Sequence, residues 1–165
     1  MVAWAKSGRY TEHPPYSNKV PALAAEAKRL GLSPWFQAMG WPWCVFAGEL
    51  AALAHGSKSA KAGFAGHWNV LYTVDLLSKA RAREFGMRIV SQGEVRKGTI
   101  ALLDFPGGAI VDHYERCRGR VRLGLVLTVG GNTSPEGGSG SQSDGGGVYL
   151  RIRRASTFGA FVQDS

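Results

Sequence analysis

The apolar positions change period once along the chain, from helical spacing before Gly86 to strand-like runs after it. Val20-Pro21-Ala22-Leu23-Ala24-Ala25-Glu26-Ala27-Lys28-Arg29-Leu30 predicts a helix. Ser17 or Asn18 is available as its cap, Pro21 falls in its first turn, Lys28 and Arg29 in its last, and Gly31 stops it. Ser33 to Gln37 predicts a further short turn of helix. From Cys44, the residues Val45, Phe46, Leu50 and Leu53 stand among alanines as far as Gly56, so this helix is expected to be central and buried. Residues 56–66 are Gly, Ser, Lys and Ala and predict a loop. His67 to Phe85 predicts another helix on Val70, Leu71, Val74, Leu76, Leu77 and Ala80. Residues 1–17, rich in Pro, Tyr and Lys, predict an irregular arm.

Beyond Gly86 the runs are short. Strands are expected at 87–90, at 98–105 before Pro106-Gly107-Gly108, at 109–117, at 121–129 and at 146–153, with an edge strand at 158–162. The Gly/Ser-rich stretch 130–147 between two of them predicts a long surface loop. Helices first and an antiparallel-looking sheet afterwards make an α+β layout. No repeat interrupts it, and residues 1–165 are enough for one domain with its own core.

A content of 44% hydrophobic and 19% charged residues excludes a disordered chain. No apolar stretch is long enough to span a bilayer, and Met1-Val2-Ala3-Trp4-Ala5-Lys6 lacks the apolar core of a signal peptide, which implies synthesis in a cytoplasm and release by another route. The net charge of +8 favours polyanionic partners: nucleic acid, an anionic membrane surface, or a bacterial wall carrying acidic polymers. The densest basic cluster, Arg151, Arg153 and Arg154, is interrupted by Ile152 as in a strand. No recognition-helix, zinc-finger or RNA-binding signature accompanies it, so a solvated basic surface is preferred to a nucleic-acid site. Cys44 and Cys117 are expected to be two free thiols.

Chemistry concentrates at Gly40-Trp41-Pro42-Trp43-Cys44. A Pro before a helical run places Cys44 at or beside a helix N-terminus, where orphan N–H groups favour a thiolate. Cys44 is then either a nucleophile or one more small buried residue. A nucleophile needs a base, and His113, inside a strand after Asp112, is preferred to His55 and His67. Among His13, His55, His67 and His113 there is no metal-ligand spacing, and no cofactor is implied. Asn132 at a strand end is either a turn former or the group that orients the imidazole, which would give a Cys44, His113, Asn132 order. Gln37 is a candidate second oxyanion donor. Trp41 and Trp43 either wall a substrate groove or pack beneath the helix. The Gly-rich loop lacks a phosphate-binding pattern, and Ser134, Ser139, Ser141 and Ser143 lack a nucleophile elbow.

Three segments together resemble the CHAP family of cysteine peptidases and amidases, related to the NlpC/P60 peptidases. They are Pro42-Trp43-Cys44-Val45-Phe46, the pair Lys97-Gly98-Thr99-Ile100 and Val111-Asp112-His113, and Gly131-Asn132-Thr133-Ser134 with Gly145-Gly146-Gly147-Val148-Tyr149-Leu150-Arg151. The resemblance implies a papain-like fold and a peptidoglycan-cleaving amide hydrolase, similar to the peptidase domain of phage endolysins. It makes Cys44 the nucleophile, His113 the base and Asn132 the polar residue after the last catalytic strand. The implied partners are bacterial peptidoglycan and other modules of a longer lysin, with no nucleic acid and no membrane span, acting as a monomer. The chain departs from the family pattern twice. Gly130 stands where many relatives carry a Glu, and Tyr114-Glu115-Arg116 follows the His where small and apolar residues are usual. Either Asn132 orients His113 alone, or an acid such as Asp112, Glu136 or Asp144 substitutes, or activity is reduced. On this reading Gly130→Glu is expected to hold or raise activity.

Overall fold

In the computed structural model, residues 1–15, 17–104, 111–133 and 146–164 are described. Six α-helices precede a six-stranded antiparallel sheet: α1 (Val2–Ser7), α2 (Pro21–Arg29), α3 (Pro34–Ala38), α4 (Cys44–Leu53), α5 (Lys58–Phe64) and α6 (Thr73–Arg81), then β1 (Arg88–Val90), β2 (Ile100–Leu103), β3 (His113–Cys117), β4 (Leu125–Thr133), β5 (Gly147–Arg154) and β6 (Phe158–Gln163). This is the α+β layout expected from the sequence. The strands lie in the order β1-β6-β2-β3-β4-β5, every neighbouring pair antiparallel. No helix among the described residues is long and apolar enough to cross a membrane.

The alternation of the strands divides the core in two. Ile100, Leu102, Tyr114, Val129 and Val162 face the helices and pack with Val45, Phe46 and Leu50 of α4. Ala101, Cys117, Val126 and Phe161 face the other way, with Val90, Val95 and Ala155. Helix α4 lies so close to the sheet that a methyl group on Gly48 would stand 1.9 Å from Cε1 of Tyr114. Only glycine fits there.

Several expectations need correction, among them the helix expected over His67 to Phe85, which spans only Thr73–Arg81. Residues 1–17 are not an irregular arm: Val2–Ser7 is helical, and Trp4 stacks on Tyr10 with centroids 4.5 Å apart. Residues 56–66 are not a loop. The Ser57 hydroxyl caps α5 by accepting from the Ala60 N–H at 3.3 Å, and the small residues Ala60 and Gly63 let the helix close onto Trp68. Helix α2 begins after Val20 with no side-chain cap, so neither Ser17 nor Asn18 serves. Finally, 158–162 is no edge. Strand β6 lies between β1 and β2, and it suits that place because Phe161 and Val162 bury to opposite faces. The predicted loop 130–147 is narrower than expected, since β4 runs to Thr133 and β5 starts at Gly147. Its middle, with Ser134, Glu136, Ser139, Ser141, Ser143 and Asp144, lies outside the described residues, as do Phe105 to Ile110.

Candidate active site

Cys44 is the first residue of α4, and its side chain is buried. Pro42 stands two residues outside the helix, and Trp43 occupies the cap position without a side-chain bond. The thiol receives the backbone N–H groups of Cys44 and Val45 from its own helix, and that of Tyr114 from β3. Tyr114 lies just past the last β3–β4 pair, Glu115 with Gly130. The sulfur therefore meets the β3 backbone at the end of the β3–β4 ladder, one residue from His113.

These N–H groups lower the thiol pKa, as a helix N-terminus should, but burial outweighs them and pushes it up to about 11. The expectation of a ready thiolate is overturned by desolvation. His113 is likewise fully buried, and burial brings its pKa down to about 4 although Glu115 pulls the other way. Near neutral pH the resting pair is thiol and imidazole, both uncharged.

His113 and Glu115, two apart on β3, project to the same face, with His113 Nε2 3.7 Å from Glu115 Oε1. Glu115 has no solvent exposure. Arg153 of β5 grips it, Nη2 donating to Oε1 at 2.7 Å and Nε donating at 3.2 Å, and the Thr128 hydroxyl donates to Oε2. Burial alone would raise the carboxyl pKa, but Arg153, His113 and Thr128 hold it below the usual carboxylate range. Glu115 is ionised. The floor of this pocket is Gly130, where an added Cβ would lie 2.8 Å from Glu115 Cγ and 3.2 Å from His113 Nε2.

Asn132 is fully buried in the irregular stretch of β4, where the register with β5 shifts between Gly130 and Thr133. Its φ of 56° is a left-handed conformation that Asn tolerates better than most residues. Next to it Gly131 faces α4, and a Cβ there would meet Trp43 Cζ3 at 2.7 Å. The turn-forming reading of Asn132 fits this left-handed position at the register shift. Asp112, weighed as a substitute acid, is exposed, Glu136 and Asp144 lie outside the described residues, and Glu115 is an acid the structure sets beside the imidazole.

Trp43 is a core residue with no exposed surface, and its Nε1 donates to Glu12 Oε1 at 2.9 Å, which fits packing beneath the helix. Trp41 is half-buried and stacks on the exposed Trp35 with centroids 4.4 Å apart, leaving this pair as the aromatic surface near the start of α4. The Gln37 amide already donates to the Leu32 carbonyl at 2.9 Å. Cys117 is buried, and burial pushes its pKa up to about 12. Among the described residues no cluster of three His, Cys, Asp or Glu could hold a metal ion.

Of the Arg151–Arg154 cluster, only Arg154 is the solvated surface that the sequence suggested. Arg151 is buried and donates to Thr133 Oγ1 at 3.0 Å, Arg153 serves Glu115, and Ile152 between them faces solvent at 57% exposure. A separate cavity of about 350 Å³, lined by His55, Arg116, Arg118 and Asp164 among others, lies at the far end of α4, about 15 Å of helix from Cys44. Compared with protein-family models and with curated protein sequences, the chain matches none.

Proposed function

We propose that this chain is a cysteine hydrolase of papain-like fold that cleaves an amide bond in peptidoglycan, as a phage endolysin or its peptidase domain. The observation that carries the reading is the meeting at the β3 start. A thiol on a helix N-terminus touches the backbone next to a buried imidazole, and that imidazole is backed by an ionised, fixed carboxylate.

A neutral pair implies concerted proton movement rather than a standing ion pair. The Cys44 sulfur bonds to the carbonyl carbon as its proton passes to His113. The amide C–N bond then breaks, and the amine leaves with that proton. Water, deprotonated by His113, cleaves the thioester and restores the thiol. Glu115 stabilises the imidazolium that exists between these steps, the task of the third member of such sites. The Cys44 N–H at the helix start is the oxyanion donor. Asn132 and Trp41 complete the polar and aromatic surroundings.

The test is release of free amino groups from purified cell wall. Cys44→Ala should abolish release while leaving the circular-dichroism spectrum and melting unchanged; undiminished release would remove the assignment. Iodoacetamide separates the site from the substrate: Cys44 should react at pH 7 at least ~10-fold more slowly than free cysteine, because it is held as the thiol. Burial of both groups also fits a non-catalytic wall-binding module on the same fold. Retained wall binding with no released amines would favour that second reading.

A further inference from the structure

Between β3 and β4 the chain turns back through Arg122-Leu123-Gly124-Leu125. Arg122 and Leu125 exchange both backbone hydrogen bonds at 2.8 Å, leaving Leu123 and Gly124 as a two-residue turn. Both turn residues have positive φ, 49° at Leu123 and 70° at Gly124, the pattern of a type I′ turn. Asn or Gly belongs at the first of these positions; leucine is strained there. The same Leu123 is 101% exposed, so no contact within the fold offsets either the strain or the wet apolar surface.

Leu123 has apolar company. Leu125, Leu127 and Ile152 are 44%, 43% and 57% exposed, and Leu127 pairs directly with Ile152 across β4 and β5. Leu125 is flanked by its cross-strand partners Arg122 and Arg154, and Arg120 stands exposed just before the turn. Neither 116–133 nor 146–163 contains an Asp or Glu. The surface is apolar at its fully exposed tip and basic around it.

We infer that this hairpin is a membrane-docking element that seats Leu123 in the interface of a bilayer carrying anionic head groups. A second copy of the chain is disfavoured because it would set Arg120, Arg122 and Arg154 against like charge. An acidic polymer could satisfy the arginines but would leave an exposed leucine tip in water. A bilayer surface answers both chemistries at once.

Leu123→Asn separates docking from folding, since Asn-Gly is the preferred type I′ pair. The variant should melt ~2–4 °C higher than the parent. It should also bind vesicles of phosphatidylcholine and phosphatidylglycerol (7:3) at least ~5-fold more weakly in co-sedimentation. The parent should ignore pure phosphatidylcholine vesicles, and Arg120→Gln with Arg122→Gln should weaken binding and its salt dependence. Three results would overturn the inference: a parent that does not bind the anionic vesicles, a Leu123→Asn variant that binds them as tightly as the parent, or parent and variant that bind poly-glutamate equally well without binding vesicles.

Discussion

Glu115 and Gly130 face one another across the β3–β4 ladder, and the side chain of the first fills the space that any side chain on the second would need. Under the proposed reading, the chain's two departures from the CHAP pattern are a single one. On that reading the carboxylate stands on the strand opposite the position that the CHAP pattern gives it, and Gly130 leaves the room it occupies.

The sequence-based expectation for Gly130→Glu therefore reverses. The new Cβ would crowd Glu115 and His113, and a second buried carboxylate would lie beside the first. Wall hydrolysis should fall at least ~10-fold, and Glu115→Gly alone should fall as far. Combining them should recover activity above either single variant, because the acid then returns to the other strand with its space cleared. The pH profile of Cys44 alkylation checks the same point without substrate. A double variant no better than the worse single one would mean that Glu115 acts on packing rather than on His113.

Burial of His113 as the neutral imidazole has a pH signature. Its pKa is about 4 in the fold, against about 6.5 when unfolded, so the unfolded chain takes up the proton first as pH falls. Its contribution is complete above pH 6.5 and is lost on the way down to pH 4, on the order of 3 kcal/mol in all. Denaturant melts of parent and His113→Gln at pH 7.5 and 4.5 measure this. The parent should lose more stability than the variant over that interval, and parallel losses would contradict it.

Gly48 makes a third prediction. A methyl group there must displace the Tyr114 ring, and with it the bond from Tyr114 Oη to Glu49 Oε1 at 2.8 Å. Glu49 is fully buried and also accepts from Arg116 Nη2 at 2.9 Å, so the displacement disturbs a polar network inside the core. Gly48→Ala should cost about 3 kcal/mol in urea unfolding, a large effect for one methyl group. A change under ~0.5 kcal/mol would mean that α4 can slide on the sheet.

What could be read in advance follows from the range of each signal. The buried α4 with Cys44 at its head was legible because a continuous apolar run is a local pattern. Strand β2 was legible for the same reason, and β5 from its alternation of apolar and basic residues. Glu115 was not, since its role depends on which residue of β4 lies opposite it, and register is decided by two segments far apart in the chain. Glu115 lies on the histidine's own strand, two places on. That spacing of two was the available clue. The arginines of β5 misled for a related reason: alternation shows that two faces differ, not which face holds a buried carboxylate waiting for a cation. The helical Val2–Ser7 was hidden because its stability comes from packing rather than from its six residues.

The position of β6 constrains how the molecule is made. Among the described residues strand β1 pairs with β6 alone, and Ile100 of β2 pairs with Val162, some sixty residues later. As the chain emerges from the ribosome, β1 and one border of β2 must wait unpaired until β6 is out. The helices and the β3–β4–β5 meander can form early from local contacts, but the sheet closes last. A nascent chain arrested before Phe158 would expose two strand borders that β6 would otherwise cover, an aggregation-prone intermediate.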